Sequence, residues 1–280
     1  MKLGIAIFPT DTAVDVVALA REVEDRGFES FFLPEHTHIP VGEAQFPTGA
    51  PVQEHYKRSL DPFVALGAVA AATSRLLLGT GICLVVERDP IVTAKEVATV
   101  DLLSGGRFLF GIGGGWNRLE MANHGTDART RFALMKERVE AMKAIWTADE
   151  AEYHGRFVDF DPIWLWPKPV QRPHPPVLVG GNGAGTLRRV VEYGDEWMPN
   201  AFAADAFAER IVELQRLAEE AGREPVLVTA NGCKPEARAV ERYAEIGVDR
   251  CTFWVPSASR DEVMPLVDRY AELVEQVGGS

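Results

Sequence analysis

Cysteine is scarce in this chain and forms no pattern. The 280 residues include three cysteines, Cys83, Cys233 and Cys251, which are odd in number and far apart in the sequence. Disulfide frameworks need an even set of cysteines, and structural metal sites need ligands at short, regular intervals. We therefore expect small buried thiols in a reducing compartment, with neither a disulfide framework nor a metal site.

Long apolar runs and an excess of positive charge are also absent. No apolar stretch is long enough to span a bilayer, and the N-terminus lacks a signal-peptide pattern. Lys and Arg number 29 against 41 Asp and Glu, which gives a formal net charge of -12. This balance argues against nucleic acid or an anionic membrane as a partner. We expect a cytoplasmic protein that acts on a small molecule.

The chain does contain a repeated alternation of short apolar strands and amphipathic helices. Eight such units predict a single (β/α)8 TIM barrel, with an open doubly wound sheet as the alternative. No break in composition divides residues 1–280, so one barrel domain is predicted, with loop insertions near 37–60 and 148–175. The predicted strands are Lys2–Phe8, Phe31–Leu33, Leu76–Ile82, Phe108–Ile112, Val177–Val179, Glu196–Pro199, Val226–Ala230 and Cys251–Val255.

A glycine-rich stretch follows the fifth predicted strand. It carries Gly180, Gly181, Gly183 and Gly185, and Thr186 is placed to cap the next helix. A helix N-terminus behind bare backbone is a natural site for phosphate. The alternative is a strand-to-helix loop that binds nothing.

Unusual residues fall at the carboxyl ends of the predicted strands, where the active site of a barrel lies. Glycines at several strand ends indicate a flat, bulky ligand close to the backbone, although loops also collect glycine without binding anything. These residues are Phe8-Pro9, Glu35-His36, Gly81-Ile82, Gly113 to Trp116, Gly180 to Gly185, Asn200 and Asn231. No Ser–His–Asp or paired-carboxylate arrangement can be read from their order, so hydrolase chemistry has no support.

Several segments are informative when taken together and in order. They are Pro34–His36, Leu60–Leu66, Ala72–Gly81, Ala98–Arg107, Gly111–Trp116, Phe132–Trp146, Pro167–Gln171 and Pro175–Gly181. Each segment is weak alone, but the ordered set over roughly residues 1–200 is specific, whereas the last third matches only in barrel pattern. The set resembles the luciferase-like monooxygenase superfamily, which includes flavin monooxygenases and deazaflavin (coenzyme F420)-dependent oxidoreductases.

The resemblance implies a tricyclic cofactor at the carboxyl ends of the strands. Its phosphate would lie in the loop after the fifth strand, and its central ring would be backed by a non-proline cis peptide at Gly81-Ile82. The implied cofactor-binding residues are Gly81, Ile82, Gly113, Gly114, Gly115, Gly180, Gly181, Asn182, Gly183, Gly185 and Thr186.

Glu35-His36 is similar to the acidic residue–histidine pair of deazaflavin enzymes. The resemblance implies that His36, steadied by Glu35, acts as a base or anion stabiliser during hydride transfer. The alternative is a strand-end histidine that only hydrogen-bonds the backbone. The segments Leu60–Gly81 and Ala98–Trp116 look closest to the actinobacterial deazaflavin branch, so coenzyme F420 is the expected cofactor and FMN the alternative.

The chain departs from the deazaflavin sugar-phosphate dehydrogenases, which have an acidic proton donor after the glycines of the fourth strand. Trp116 stands at the matching position. We therefore expect an apolar or aromatic substrate, with Phe8, Trp116 and His55 around it. Glu120, one helical turn further on, could replace the missing acid, but we expect it to be solvated.

Other polar and aromatic residues have two readings. His38 and His55 lie in the long loop, where we expect them to line the substrate entrance, and as metal ligands they lack a third partner. Lys57-Arg58 either meets the acidic tail of the cofactor or is plain surface. Trp164 and Trp166 either cover the pocket or pack the insertion, and packing is the simpler role.

The sequence thus predicts an F420-dependent oxidoreductase that transfers hydride between the deazaflavin and a small organic substrate. One alternative is an FMNH2-dependent monooxygenase that uses O2, and another is a non-catalytic cofactor-binding homologue. A homodimer is compatible with the resemblance.

Overall fold

The computed structural model describes residues 1–41, 46, 48–201 and 204–278, and within them a parallel barrel closes on itself. Its strands follow the order β1-β10-β9-β8-β7-β4-β3-β2, and each neighbouring pair is parallel, whereas β5 and β6 pair only with each other. The strands are β1 (Lys2–Ala6), β2 (Ser30–Leu33), β3 (Leu77–Thr80), β4 (Phe108–Ile112), β5 (Ala151–His154), β6 (Asp159–Ile163), β7 (Val177–Gly180), β8 (Glu196–Met198), β9 (Leu227–Asn231) and β10 (Arg250–Trp254).

A helix follows each barrel strand before the next barrel strand begins, which confirms the (β/α)8 prediction and rules out the open sheet. A 3-10 turn also spans Val85–Glu87. The helices are α1 (Val16–Asp25), α2 (Glu54–Arg58), α3 (Pro62–Ala72), α4 (Pro90–Ser104), α5 (Arg118–Asn123), α6 (Arg131–Thr147), α7 (Thr186–Tyr193), α8 (Ala204–Glu220), α9 (Ala237–Glu245) and α10 (Arg260–Gly278).

Local chemistry explains where the helices after β2 and β3 begin. The carboxylate of Asp61 accepts hydrogen bonds from the first free N–H groups of α3, and Asp89 does the same for α4. A proline occupies the next position in both cases, where its missing N–H costs nothing. Helix α4 ends at Gly105, whose φ of 69° is a left-handed conformation that glycine adopts without strain.

The inside of the barrel is filled by side chains below the rim. Ala6, Phe32, Leu109, Leu178 and Met198 form a buried cluster separate from the larger core that packs the helices onto the strands. The cluster takes one residue from each of five strands, as alternation along a strand requires. Because this buried cluster fills the barrel interior, a ligand has to bind above it, at the carboxyl ends of the strands.

The segment 148–175 forms an insertion without a helix, as predicted. Strands β5 and β6 make a two-stranded antiparallel sheet, and the segment then returns to the barrel. The buried carboxylate of Asp101 anchors the return by accepting hydrogen bonds from Val170 N, Gln171 N and Gln171 Nε2. This anchor fixes the chain just before β7, whose end carries the glycine-rich loop.

The predicted long loop between Thr37 and Ser59 was wrong in one respect, because it contains helix α2. Helix α5, after β4, was also not predicted. Residues 42–45 and 47 of the loop lie outside the described residues, so the part of the loop prediction that concerns them stays a prediction. Both short helices contribute to the rim of the barrel.

All three cysteines are free and buried, in line with the sequence. Within the described part of the chain, no helix combines the length and the apolar character needed to cross a membrane.

Candidate active site

A cavity of about 370 Å³ opens at the carboxyl ends of the barrel strands, and we call it the ring cavity. It brings together residues that are far apart in the sequence. Those that were predicted from the sequence are Phe8, Glu35, His36, Gly81, Ile82, Gly113, Gly114, Gly115, Trp116, Gly180, Gly181, Gly183, Thr186, Asn200 and Asn231. The lining also includes Tyr56, Phe132, Arg189, Met198 and Trp254, which the sequence analysis did not single out.

The floor of the ring cavity is made of glycines around one isoleucine. The Gly81-Ile82 peptide is cis, as predicted. A Cβ on Gly113 would lie 2.0 Å from Ile82 Cδ1, and one on Gly180 would lie 3.1 Å from Ile82 Cγ2. Glycine at these two strand ends leaves room for the Ile82 side chain, which lines the ring cavity together with the glycines.

The loop after β7 is tied to the neighbouring strand end. Gly181 has a φ of 113°, and its carbonyl accepts a hydrogen bond from Trp197 Nε1 at 3.0 Å. Asn182 Nδ2 donates to Asn200 O at 2.8 Å, and Asn182 Oδ1 accepts from Asn200 N at 3.0 Å. Asn182 therefore shapes the loop through its side chain.

Thr186 was predicted to cap helix α7, and that prediction was wrong. The helix begins at Thr186 itself, after Gly185, and no side chain caps it. The Thr186 hydroxyl instead accepts a hydrogen bond from Arg189 Nη2 at 3.0 Å. The Arg189 guanidinium lies 3.9 Å from the centre of the Phe132 ring, at the edge of the ring cavity. The loop end of the cavity therefore presents a hydroxyl and a cation.

His36 is held by a carboxylate that we expected to be solvated. Glu120 is fully buried, and its Oε2 lies 2.7 Å from His36 Nδ1 while its Oε1 accepts from Thr37 N at 3.1 Å. Trp116 Nε1 donates to the other ring nitrogen, His36 Nε2, at 3.3 Å. These bonds assign the proton of a neutral His36 to Nδ1 and leave an acceptor lone pair on Nε2, beside the cavity.

The predicted pairing of Glu35 with His36 needs correction. Glu35 Oε2 accepts from Leu84 N at 2.6 Å, and Glu35 Oε1 accepts from Arg88 Nε at 2.6 Å. Both oxygens of Glu35 are thus hydrogen-bonded, one to the start of the turn after β3 and the other to Arg88. Glu35 therefore holds the floor of the site in place. The group that orients His36 is Glu120.

Helix α5 explains how Glu120 reaches His36. Asn117 Oδ1 accepts hydrogen bonds from the backbone N–H groups of Leu119 and Glu120, which starts the helix directly after the glycines of β4. Asn117 followed three residues later by a glutamate is a known signature of a helix start. That signal predicts the helix but not the inward direction of the glutamate.

A second buried carboxyl lies beneath the same region. Neither oxygen of Glu87 has a hydrogen-bond partner among the described residues, and Oε1 lies 3.7 Å from the position of a Cβ on Gly115. Burial, together with the nearby carboxylates of Glu120 and Glu35, raises the pKa of Glu87 to about 9. Burial also lowers the pKa of His124, whose Nε2 lies 3.9 Å from Glu87 Oε2. Near pH 7 both groups are uncharged.

Replacing Glu87 with glutamine is expected to stabilise the fold more at pH 8 than at pH 5. A carboxyl that ionises near 4.5 when unfolded but near 9 when folded lowers stability progressively as the pH rises between those values. Glutamine does not ionise, so the advantage of the variant grows by at most about 1.4 kcal/mol per pH unit. Urea denaturation of both proteins at pH 5 and pH 8 measures the difference. An equal difference at the two pH values would contradict a neutral Glu87.

The opposite side of the site is aromatic. The Phe8 ring centre lies 5.4 Å from that of Trp254, 4.5 Å from that of Tyr56 and 4.8 Å from that of His55. The Tyr56 ring centre is in turn 5.2 Å from that of His36. Phe8 and Trp116 line the ring cavity and His55 lines a neighbouring cavity, and their contact with a substrate stays a prediction.

Several other candidates from the sequence lie away from the ring cavity. His38 is half-buried and hydrogen-bonded to Thr37 Oγ1, and Trp164 and Trp166 are 78% and 57% exposed on the insertion. Lys57 and Arg58 are paired with Glu54 and Asp11 at the surface.

Comparison with known proteins gives the chain its relatives. Residues 1–246 match the family model described as luciferase-like monooxygenase. An uncharacterized protein of Mycobacterium tuberculosis is 42% identical over 277 residues, which cover 97% of this chain and 98% of that protein. The FMNH2-dependent dimethylsulfone monooxygenase of Pseudomonas putida is 30% identical over 181 residues, covering 62% of this chain and 50% of that protein.

A solved structure with a similar fold is an F420-dependent secondary alcohol dehydrogenase in complex with an F420-acetone adduct. It aligns with a TM-score of 0.80 at 18% identity and covers 97% of both chains. At that identity the likeness is one of fold.

Proposed function

The chain belongs to the luciferase-like monooxygenase family, and from that premise we propose that it is an oxidoreductase that transfers hydride between coenzyme F420 and a small organic substrate. The observation that carries this proposal is the buried Glu120–His36 pair, which lines the ring cavity through His36. The Nε2 atom of His36 accepts a hydrogen bond from Trp116 Nε1, and a substrate hydroxyl would take the place of that donor.

The ring cavity suits a flat tricyclic cofactor. A Cβ on Gly113 would collide with Ile82, so glycine here keeps the floor flat and open to a ring. At the other end, the glycine loop, the Thr186 hydroxyl and Arg189 offer donors and a positive charge to a phosphate. An apolar floor ending in an anion-recognising loop is complementary to a ring that carries a phosphorylated side chain.

Coenzyme F420, when bound, supplies the ring carbon that accepts or returns the hydride. The residues of the chain manage the accompanying proton. During oxidation of an alcohol, His36 Nε2 takes the hydroxyl proton, and the carboxylate of Glu120 stabilises the resulting imidazolium through Nδ1. During reduction of a carbonyl, the same Nε2–H returns the proton. Trp116 Nε1, 3.3 Å from His36 Nε2, can hydrogen-bond the same substrate oxygen.

A binding titration tests the cofactor. Purified protein is titrated with F420 and, separately, with FMN while the fluorescence of each ring is followed. We expect saturable binding of F420 at micromolar concentration and weaker binding of oxidised FMN. If F420 does not bind at a concentration at which FMN saturates the protein, the proposed cofactor is wrong.

Gly181→Asp is expected to weaken F420 binding at least tenfold, which corresponds to about 1.4 kcal/mol. The new carboxylate would face the loop that we assign to the phosphate, near Thr186 Oγ1. Gly222→Asp is the matched control, because Gly222 also has a positive φ, of 68°, and nothing surrounds a Cβ there. Gly222→Asp thus controls for a new carboxylate at a glycine of positive φ, and only Gly181→Asp should change the affinity. If the two variants bind F420 with equal affinity, the phosphate does not bind in this loop.

A flavin monooxygenase is the second candidate, favoured by the relative of Pseudomonas putida that uses FMNH2. It predicts oxygen consumption when the protein is supplied with FMN, a flavin reductase and substrate. F420-dependent hydride transfer predicts no such consumption, so an oxygen electrode separates the two.

A further inference from the structure

A second cavity adjoins the ring cavity on its aromatic side. It has a volume of about 540 Å³, and we call it the outer chamber. Phe8, Tyr56, Asn200 and Trp254 line both cavities. The remaining walls come from the start of α2 and from the segment that follows β10, namely Gln53, His55 and Val255–Ser257. The shared residues make the two spaces neighbours across one wall.

That wall is a continuous set of aromatic rings leading from the chamber to His36. Phe8 and Trp254 are stacked with an interplanar angle of 21°, and Tyr56 packs against both Phe8 and His36. Stacked and tilted rings at these distances offer apolar faces on which a flat molecule can pack. Tyr56 lines the outer chamber and its ring centre lies 5.2 Å from that of His36, so one side chain links the chamber to the histidine.

Among the residues that the structure describes, none that lines the outer chamber has a charged side chain. Burial lowers the pKa of His55, which keeps that ring neutral near pH 7. The basic residues of α2, Lys57 and Arg58, are engaged by Glu54 and Asp11. The cation of the site, Arg189, lies at the opposite end, beside the glycine loop.

We propose that the outer chamber is the substrate-binding site, and that it takes an uncharged molecule with a flat apolar body and a hydroxyl or carbonyl oxygen at its inner end. This inference deepens the proposed function and rests on it. A charged group placed among Phe8, Tyr56 and Trp254 would lose its hydration without gaining an opposite charge. The amides of Gln53 and Asn200 and the hydroxyl of Ser257 supply polar contacts that a neutral molecule can use.

A matched pair of probes tests the preference for a neutral ligand. The probes are 1-(2-naphthyl)ethanol and 2-naphthyl phosphate, which share the aromatic body and differ in charge. Binding to the protein is measured by isothermal titration and by saturation-transfer NMR. We expect the alcohol to bind at least tenfold more tightly than the phosphate, and to bind equally well when F420 is present at saturation. Equal affinities, or displacement of the alcohol by F420, would overturn the assignment of the chamber.

Two substitutions locate the probes, and a third serves as a control. Trp254→Ala removes one stacking face and should weaken binding of the alcohol at least fivefold. Trp164→Ala makes the same change at a side chain that is 78% exposed on the insertion and should leave the affinity unchanged. Gln53→Lys places a cation at the exposed mouth of the chamber without touching the core, and should tighten binding of the phosphate at least threefold.

The outcomes separate this inference from the proposed cofactor. If the alcohol responds to Trp254→Ala and the phosphate responds to Gln53→Lys, at a residue that lines the outer chamber alone, while F420 does not bind, the chamber is supported and the cofactor is wrong. If F420 binds but neither Trp254→Ala nor Gln53→Lys alters probe binding, the substrate site lies elsewhere and the inference is wrong.

Discussion

Glu120→Gln is expected to lower kcat by about 100-fold or more while F420 binding is retained. Glutamine keeps the size of the side chain and can still accept the hydrogen bond from Thr37 N. Its amide nitrogen would face His36 Nδ1 and donate to it, so the ring proton would move to Nε2. The histidine would then have no lone pair with which to take a proton from an alcohol.

The loss should appear in both directions of the reaction. Oxidation of an alcohol needs an acceptor on His36 Nε2, and reduction of a carbonyl needs the imidazolium that Glu120 stabilises, so both directions pass through the same transition state. We therefore expect Glu120→Gln to lower kcat/KM for oxidation and for reduction by the same factor.

NMR measures the tautomer without any substrate. Long-range 1H–15N spectra should show His36 protonated at Nδ1 in the wild type and at Nε2 in the variant. Glu137→Gln is the control, because Glu137 accepts hydrogen bonds from Phe157 N and Val158 N in the insertion and does not contact His36. An unchanged His36 tautomer in Glu120→Gln would contradict the assigned role of Glu120.

Gly111→Ala is expected to destabilise the fold by about 3 kcal/mol or more. A Cβ at this position would lie 1.9 Å from the carbonyl oxygen of Thr80, which is backbone on the neighbouring strand. The Thr80 hydroxyl also donates to Gly111 O at 2.6 Å, so the two strands are held together at this point. Relief of the collision requires β3 and β4 to separate, directly below the Gly81-Ile82 floor of the ring cavity.

Gly67→Ala is the matched control for this prediction. Gly67 lies inside α3, and nothing lies within 4 Å of a Cβ built there. Alanine favours a helix over glycine by up to about 1 kcal/mol, so this variant should be slightly more stable than the wild type. Chemical denaturation of the three proteins gives the values. If Gly111→Ala unfolds at the same denaturant concentration as the wild type, the tight approach of β3 and β4 does not contribute to stability.

The barrel could be predicted from the sequence because its units repeat a strong local pattern. Short apolar strands alternate with helices whose first residues are explicit, such as Asp61-Pro62 and Asp89-Pro90. Predicted and observed strand ends differ by no more than two residues, as in Lys2–Phe8 against Lys2–Ala6, and Phe108–Ile112 is the same in both. The cis peptide at Gly81-Ile82 came from resemblance to a family and not from local pattern.

The pairing of side chains at the rim could not be predicted from the sequence. Glu35 is next to His36 in the chain, which made it the obvious partner, yet consecutive residues of an extended chain point in different directions. Glu120 is far away in sequence and meets His36 only because the barrel brings the ends of β2 and β4 to one rim. Tyr56 and Trp254 were missed for the same reason, since no local signal separates them from ordinary packing residues.

Closure of the barrel has a consequence for the order of events during synthesis. The first strand, β1, pairs with the last, β10, from Lys2 opposite Arg250 to Ala6 opposite Trp254. Until β10 leaves the ribosome, β1 and β9 each keep an open edge of backbone N–H and C=O groups, which can pair with other nascent chains. Trp254 is the last residue of that strand and lines both cavities, so the substrate wall is completed by the same residues that seal the sheet. A nascent chain therefore gains its binding site only when it loses its aggregation-prone edges.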